Sequence, residues 1–210
     1  MEKRTFNIET RVDTNEDGKE MVIGHASVYD SKSNDLGGFF EYIERGAFTQ
    51  ELIDKSDVRA LINHDASLIM ARSKNGEGTL NLKADDKGLG YEFDLDPELS
   101  YARDLAVSLK RGDVTSSSFA FTVGADEWST NDLGENIRTI TKIDRLYDVS
   151  PVTYPAYSQA ESDLVVAQRG LKEYQESLVE ETKEDIKEET ENNLVVGSLT
   201  SLKIELIKRK

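Results

Sequence analysis

Turn-forming residues punctuate the first half of this chain at intervals too short for helices: "TNEDGK", "SNDLGG", "KNGEG" and "DDKG". Between them lie runs of strand character, "RTFNIETRV" (4–12), "MVIGHASVY" (21–29), "FFEYIE" (39–44), "VRALIN" (58–63), "TLNLKA" (79–84) and "LGYEFDL" (89–95). Gly, Asn and Asp supply the backbone conformations that reverse a strand, so this spacing predicts many short, mostly antiparallel strands. It lacks the strand–helix–strand rhythm of a doubly wound sheet and contains no internal repeat.

Two helices are expected among the strands. "GAFTQELIDK" (46–55) reads as a short one. Residues 97–112 form a longer one, opened by Asp96-Pro97, with apolar positions at Leu99, Ala102, Leu105, Ala106 and Leu109 and a stop at Gly112. Two long strands follow, 114–125 and 137–148, joined through "STNDLGEN", and then "VSPVTYPAYSQA" runs extended because Pro151 and Pro155 forbid helix. From about residue 167 the texture changes: "LKEYQESLVEETKEDIKEETE" (171–191) holds 9 acids and 3 lysines, and a basic cluster ends the chain. The expected organisation is an α+β domain over 1–166 and a charged extension over 167–210, helical or disordered.

The chain has 210 residues and a net charge of −15. Residues 1–165 carry 18 Lys and Arg against 31 Asp and Glu, so the body itself is acidic. Nucleic acid is not an expected partner, since no basic patch with interleaved aromatics offsets that charge. The absence of cysteine removes disulfides, thiol nucleophiles and Cys-ligated zinc. No apolar run approaches membrane-spanning length and the N-terminus lacks an apolar leader core, so a soluble protein made in the cytoplasm is expected, with no membrane partner.

Candidate chemistry is sparse. "DTNEDG" (13–18) matches the head of a calcium loop, but the twelfth position, which must bring a bidentate Glu, is Gly24, so a hairpin turn is the better reading. Of two histidines, His25 sits inside a strand pattern with no acid beside it. His64 in "LINHD" lies where an apolar strand gives way to a polar turn, a place where one ring nitrogen can stay accessible to act as a base; taken alone it reads as a turn histidine. No nucleophile elbow, Ser-x-x-Lys pair or phosphate-binding loop occurs, so a reactive serine would have to sit on a strand. "GDVTSSSFAF" (112–121) offers three. Alternation puts Ser117 on an apolar face with Phe119, Phe121 and Val123, and Ser116, Ser118, Ala120 and Thr122 on a small polar one. A hairpin turning near 132–133 sets Ser118 opposite about residue 147, to within a residue or two, and so close to Asp148. By parity alone Ile140 and Leu146 fall on the same face as Asp148, and residue types alone fit an ordinary Ser/Thr-rich strand as well as a reactive one.

Six segments in order resemble the tailed-phage prohead (capsid maturation) proteases, a serine protease family related in fold to herpesvirus assemblin: "GHASVYD", "EYIERGAF", "LINHD", "DDKGLGYEFDL", "ARDLAVSLKRGDVTSSSFAF" and "DVSPVTYPAY". The resemblance covers roughly residues 5–165. Carried over position by position, it implies His64 as the base, Ser118 as the nucleophile and Asp148 as the acidic third member. It points to Ala156 and Tyr157 as the neighbourhood of the oxyanion donors, without the arginines that assemblin-type enzymes carry there. Ala120 stands where the family usually has glycine.

The resemblance further implies a closed, mostly antiparallel barrel ringed by helices, and a serine endopeptidase that needs no cofactor. Its expected substrates are the major capsid protein or its scaffold segment and the protease itself, inside the assembling prohead in the host cytoplasm. A homodimer is a further expectation, because assemblin relatives are activated by dimerisation. Two rival readings remain: an inactive scaffold or capsid-assembly protein on the same barrel, and a small-ester hydrolase, which would need a deep apolar pocket.

Overall fold

The computed structural model describes residues 1–6, 10–154, 165–180 and 182–183. The chain divides into two units, Met1–Val165 and Val166–Lys210. In the first, the strands are β1 (Glu2–Phe6), β2 (Arg11–Thr14), β3 (Glu20–Val28), β4 (Phe39–Ile43), β5 (Asp57–Ile62), β6 (Asp65–Lys74), β7 (Glu77–Gly78), β8 (Asn81–Ala84), β9 (Gly88–Asp94), β10 (Ser116–Thr130) and β11 (Asn136–Val152). Helices α1 (Gln50–Lys55) and α2 (Ser100–Arg111) interrupt them. Residues 165–180 are helical. The mixed α+β class read from the sequence is what the structure has.

Two sheets carry the fold. One has seven strands in the order β1-β10-β11-β5-β6-β7, with β4 also pairing β11; the other has four, β2-β3-β9-β8. The expected single closed barrel is therefore not drawn by the pairing among the described residues. Between β7 and β8 the chain crosses from one sheet to the other by bending. Gly78, at φ 138°, ends β7, and a Cβ there would stand 2.1 Å from the Arg72 carbonyl oxygen. That one carbonyl accepts from both Thr79 N (2.9 Å) and Leu80 N (3.1 Å), so the ladder breaks where β7 gives way to β8.

The core comprises residues from both sheets and both helices, among them Val22, Ile53, Leu89, Leu105, Phe119 and Ile140. Phe119 stacks on Phe121 (4.4 Å between centroids) and on Phe6 (6.2 Å), with Phe48 edge-on at 5.6 Å. Full burial of each such ring contributes roughly 1.5–3 kcal/mol, which fixes the inward face of β10. α2 buries the expected stripe Ala102, Leu105, Ala106 and Leu109 and ends at Gly112 with φ 78°. It begins three residues later than the sequence suggests, because Asp96 accepts Glu98 N in a local turn (2.9 Å) and so makes no helix cap. α1 likewise starts late, at the Thr49 cap, whose hydroxyl accepts Leu52 N. "DTNEDG" makes the β2–β3 hairpin turn, with Asn15 Oδ1 accepting from Asp17 N and Lys19 N.

Candidate active site

Strand β10 has β1 on one side and β11 on the other, and its residues 116–118 are the three serines. Their alternation separates two environments. Ser117 points into the core, where its Oγ lies 2.5 Å from Thr10 Oγ1 and 2.6 Å from Tyr91 Oη. Burial pushes the Tyr91 phenol up to about 12, against the opposing pull of the Ser117 and Thr10 hydrogen bonds. Ser117 is thus not part of a wholly apolar face; it is the hub of a buried hydroxyl cluster. Ser118 points to the opposite side.

The register there differs from a simple hairpin. Thirteen residues of β10, from Thr130 back to Ser118, are matched by fifteen of β11, from Asn136 to Ser150. Ser118 therefore faces Ser150 rather than residue 147, and Asp148 faces Ala120. One irregularity falls between Phe121↔Leu146 and Ala120↔Asp148, leaving Tyr147 as the extra residue. A bulge inverts the side-chain parity beyond it, so Leu146 packs in the core while Asp148, nominally on its face, joins Ser118 and Ser150. This resolves the parity conflict noted in the sequence.

His64 arrives from the β5–β6 connection. Ile62 pairs with Asp65, so Asn63 and His64 alone make the turn, at φ 52° and 59°. Two consecutive left-handed residues are the signature of the tight hairpin that suits strand twist, and Asn and His are among the residues that tolerate it. The turn is tied to the end of β11. Asn63 N donates to the Pro151 carbonyl (3.0 Å), Asn63 Nδ2 donates to Thr153 Oγ1 (3.1 Å), and Asn63 Oδ1 accepts from Thr153 N (2.8 Å).

These anchors bring the three expected residues together. His64 Nε2 lies 2.7 Å from Ser118 Oγ, and His64 Nδ1 lies 2.5 Å from Asp148 Oδ1. With Nδ1–H donating to the carboxylate, Nε2 is free to accept the Ser118 proton. Ser118 Oγ also lies 2.9 Å from the Arg4 carbonyl, so one hydroxyl proton has two acceptors. Ser150 Oγ donates to Asp148 Oδ1 at 2.8 Å and stands 3.4 Å from His64 Nδ1. Ser118 has no exposed surface, whereas 12% of the His64 side chain is open. The expected oxyanion residues Ala156 and Tyr157 lie outside the described residues.

Arg4 is fixed by a buried charge cluster. Its guanidinium donates to Glu41 Oε1 (2.6 Å) and Oε2 (2.9 Å) and to Glu2 Oε2 (2.5 Å), and Arg138 Nη1 donates to Glu2 (2.9 Å) and Glu41 (3.0 Å). Burial alone would push the Glu2 carboxyl up, but Arg4 and Arg138 outweigh it and hold it below its ordinary value. The cluster ties β1 to β4 and β11, and so holds in place the strand whose Arg4 carbonyl touches Ser118. His25 pairs with Asp85 (2.9 Å), an acid sixty positions away in the chain.

Sequence reasoning missed Asn63, Ser150 and Arg4. Asn63 was legible in principle, since Asn-His-Asp between two strands fits a two-residue turn; strand β6 itself hid because "DASLIMARSK" buries its residues without alternation. Arg4 acts through its carbonyl, which no side-chain pattern reveals. A cavity of about 940 Å³, lined by Met21, Phe93, Leu99 and Ala102 among others, includes none of His64, Ser118 or Asp148.

Comparison with known proteins agrees on one family. A family model described as caudovirus prohead serine protease matches residues 6–177. The prohead protease of Enterobacteria phage HK97 is 29% identical over 154 residues, which is 72% of this chain and 63% of that protein. The chain thus spans less than two thirds of the length of the curated relative it matches. No solved structure matches it.

Proposed function

We propose that this chain, which belongs to the caudovirus prohead serine protease family, is a serine endopeptidase of prohead maturation that uses Ser118, His64 and Asp148. The observation that carries the reading is the His64 imidazole, bridged at one nitrogen to a serine hydroxyl and at the other to a carboxylate. His64 Nε2 takes the Ser118 proton as Oγ attacks a peptide carbonyl. The resulting imidazolium, stabilised by Asp148, then gives that proton to the leaving amine. Water, deprotonated by the same nitrogen, releases the acyl group and restores the serine. Base catalysis of this kind supplies about 10²–10⁴-fold. The open edge of the site is that of the imidazole, so the carbonyl approaches along it. Oxyanion donors are assigned to the neighbourhood of Ala156 and Tyr157 on family resemblance alone.

The substrates we assign are the capsid protein or its scaffold segment, and the chain itself, whose charged stretch after residue 166 is the segment to be shed. The setting is the assembling prohead in the host cytoplasm, and a homodimer is the proposed active form. A closed barrel also belongs to this reading. The edge strands β7 and β8 are consecutive in the chain, so the corner between the sheets at Thr79 and Leu80 is turned by continuous backbone, which supports closure there. No helix among the described residues is long and apolar enough to cross a membrane.

The test follows intact mass over time for the wild type, Ser118→Ala and His64→Ala, alone and mixed with the cognate capsid protein. Cleavage by the wild type only is the expected result. Cleavage by all three alike, or by none with either substrate, would turn the reading toward an inactive assembly protein.

A further inference from the structure

We propose that Ser150 is a positioning residue for this reaction, its hydroxyl fixing which carboxylate oxygen of Asp148 meets the imidazole. The inference rests on the reading of His64, Ser118 and Asp148 given above.

Three observations carry it. The bulged register, not the sequence spacing, puts Ser150 directly across from Ser118 on β10, while Asp148 stands two residues away on the same face. Ser150 Oγ donates at 2.8 Å to Asp148 Oδ1, the same oxygen that receives His64 Nδ1 at 2.5 Å. Ser150 is wholly buried, in an inner strand where β-branched apolar side chains pack best, and among the described residues its side-chain hydroxyl meets Asp148 and His64.

The chemistry follows from proton counting. His64 Nδ1 is a donor in the reactive tautomer, so it cannot accept from Ser150, and the serine proton is directed to the carboxylate. A carboxylate bound to one partner can turn about its side-chain bond and exchange oxygens. Two donors converging on Oδ1 stop that rotation, and the imidazole keeps the tautomer and angle that leave Nε2 aimed at Ser118. A hydroxyl that only satisfied a buried acid would need neither that oxygen nor the 3.4 Å approach to Nδ1.

The experiment measures covalent labelling of the full chain by a fluorophosphonate. In that step the Ser118 Oγ–phosphorus bond forms, the phosphorus–fluorine bond breaks, fluoride leaves and His64 takes the proton. Ser150→Ala is expected to slow the maximal labelling rate about tenfold, with probe affinity unchanged, as suits a lost hydrogen bond to a charged group. The downfield proton resonance of His64 Nδ1 is expected to shift in the same variant. Ser150→Thr, which keeps the hydroxyl, is expected to recover labelling to within about threefold of wild type. Equal maximal rates in wild type and folded Ser150→Ala, or a folded Ser150→Thr as slow as Ala, overturn the inference. Should Ser150→Ala fail to fold, Ser150→Cys, near-isosteric and a weak donor, gives the same comparison. A wild-type chain that takes no label at Ser118 instead overturns the underlying reading of the site, and this inference with it.

Discussion

Ser117 and Ser118 are adjacent in one strand, yet their hydroxyls serve opposite sides of the sheet. Ser117 Oγ lies 2.6 Å from Tyr91 Oη in the core, and Ser118 Oγ lies 2.7 Å from His64 Nε2. The period of two in an extended backbone is enough to make one serine structural and the other available for chemistry.

Exchanging each for alanine should therefore divide stability from reactivity. Ser117→Ala leaves the buried Thr10 and Tyr91 hydroxyls short of a partner and is expected to cost about 1–3 kcal/mol in urea unfolding, while fluorophosphonate labelling persists. Ser118→Ala is expected to abolish labelling and shift stability by less than about 1 kcal/mol.

Tyr91 gives the fold an alkaline limit. Its folded value of about 12 exceeds the unfolded value of 10. Its contribution is thus full below pH 10 and is lost as pH rises toward 12, because the unfolded chain ionises first. Urea midpoints measured at pH 9 and pH 11 should fall for the wild type. The slope is expected to be shallower in Tyr91→Phe, by up to about 1.4 kcal/mol per pH unit.

The Glu2–Arg4–Glu41–Arg138 cluster sets an acid limit with the opposite sign. Glu2 is held below its ordinary 4.5, so its contribution is full above that pH and is lost as pH falls through the lower folded value. Neutralising a partner leaves a buried guanidinium short of charge. Glu41→Gln is expected to destabilise the chain by about 3–5 kcal/mol and to slow labelling, because β1 carries the carbonyl that touches Ser118. Thermal melts and labelling rates of that variant check both halves.

Asn63 should behave as the anchor of His64. Asn63→Ala loses both side-chain hydrogen bonds to Thr153 and a residue suited to φ 52°. Stability is expected to fall by about 1–3 kcal/mol. Asn63→Gly relieves the backbone cost but not the lost hydrogen bonds, and its unfolding midpoint is expected between those of wild type and Ala.

Most of the strands, though not β6, the α2 stripe and the opposite facing of Ser117 and Ser118 were legible because alternation and helical period act locally. The partner of Ser118 was not. Bulges at Ala120/Phe121 and beyond advance β11 by two residues, and such irregularities depend on tertiary packing rather than on composition. They hid Ser150 and made Asp148 look misplaced beside Leu146. The same limit applies to Thr10 and Tyr91, which meet Ser117 only because separate strands converge on it. His64 could be singled out at a strand end, but the Asn63 hydrogen bonds that hold its turn to Thr153 span ninety residues.

The central claim, that Ser118 is activated by His64, is tested most directly by locating the fluorophosphonate adduct by peptide mass spectrometry in wild type, Ser117→Ala and His64→Ala. The account predicts one adduct, on Ser118, in the first two and none in the third. An adduct on another residue, or undiminished labelling of Ser118 without His64, would contradict it.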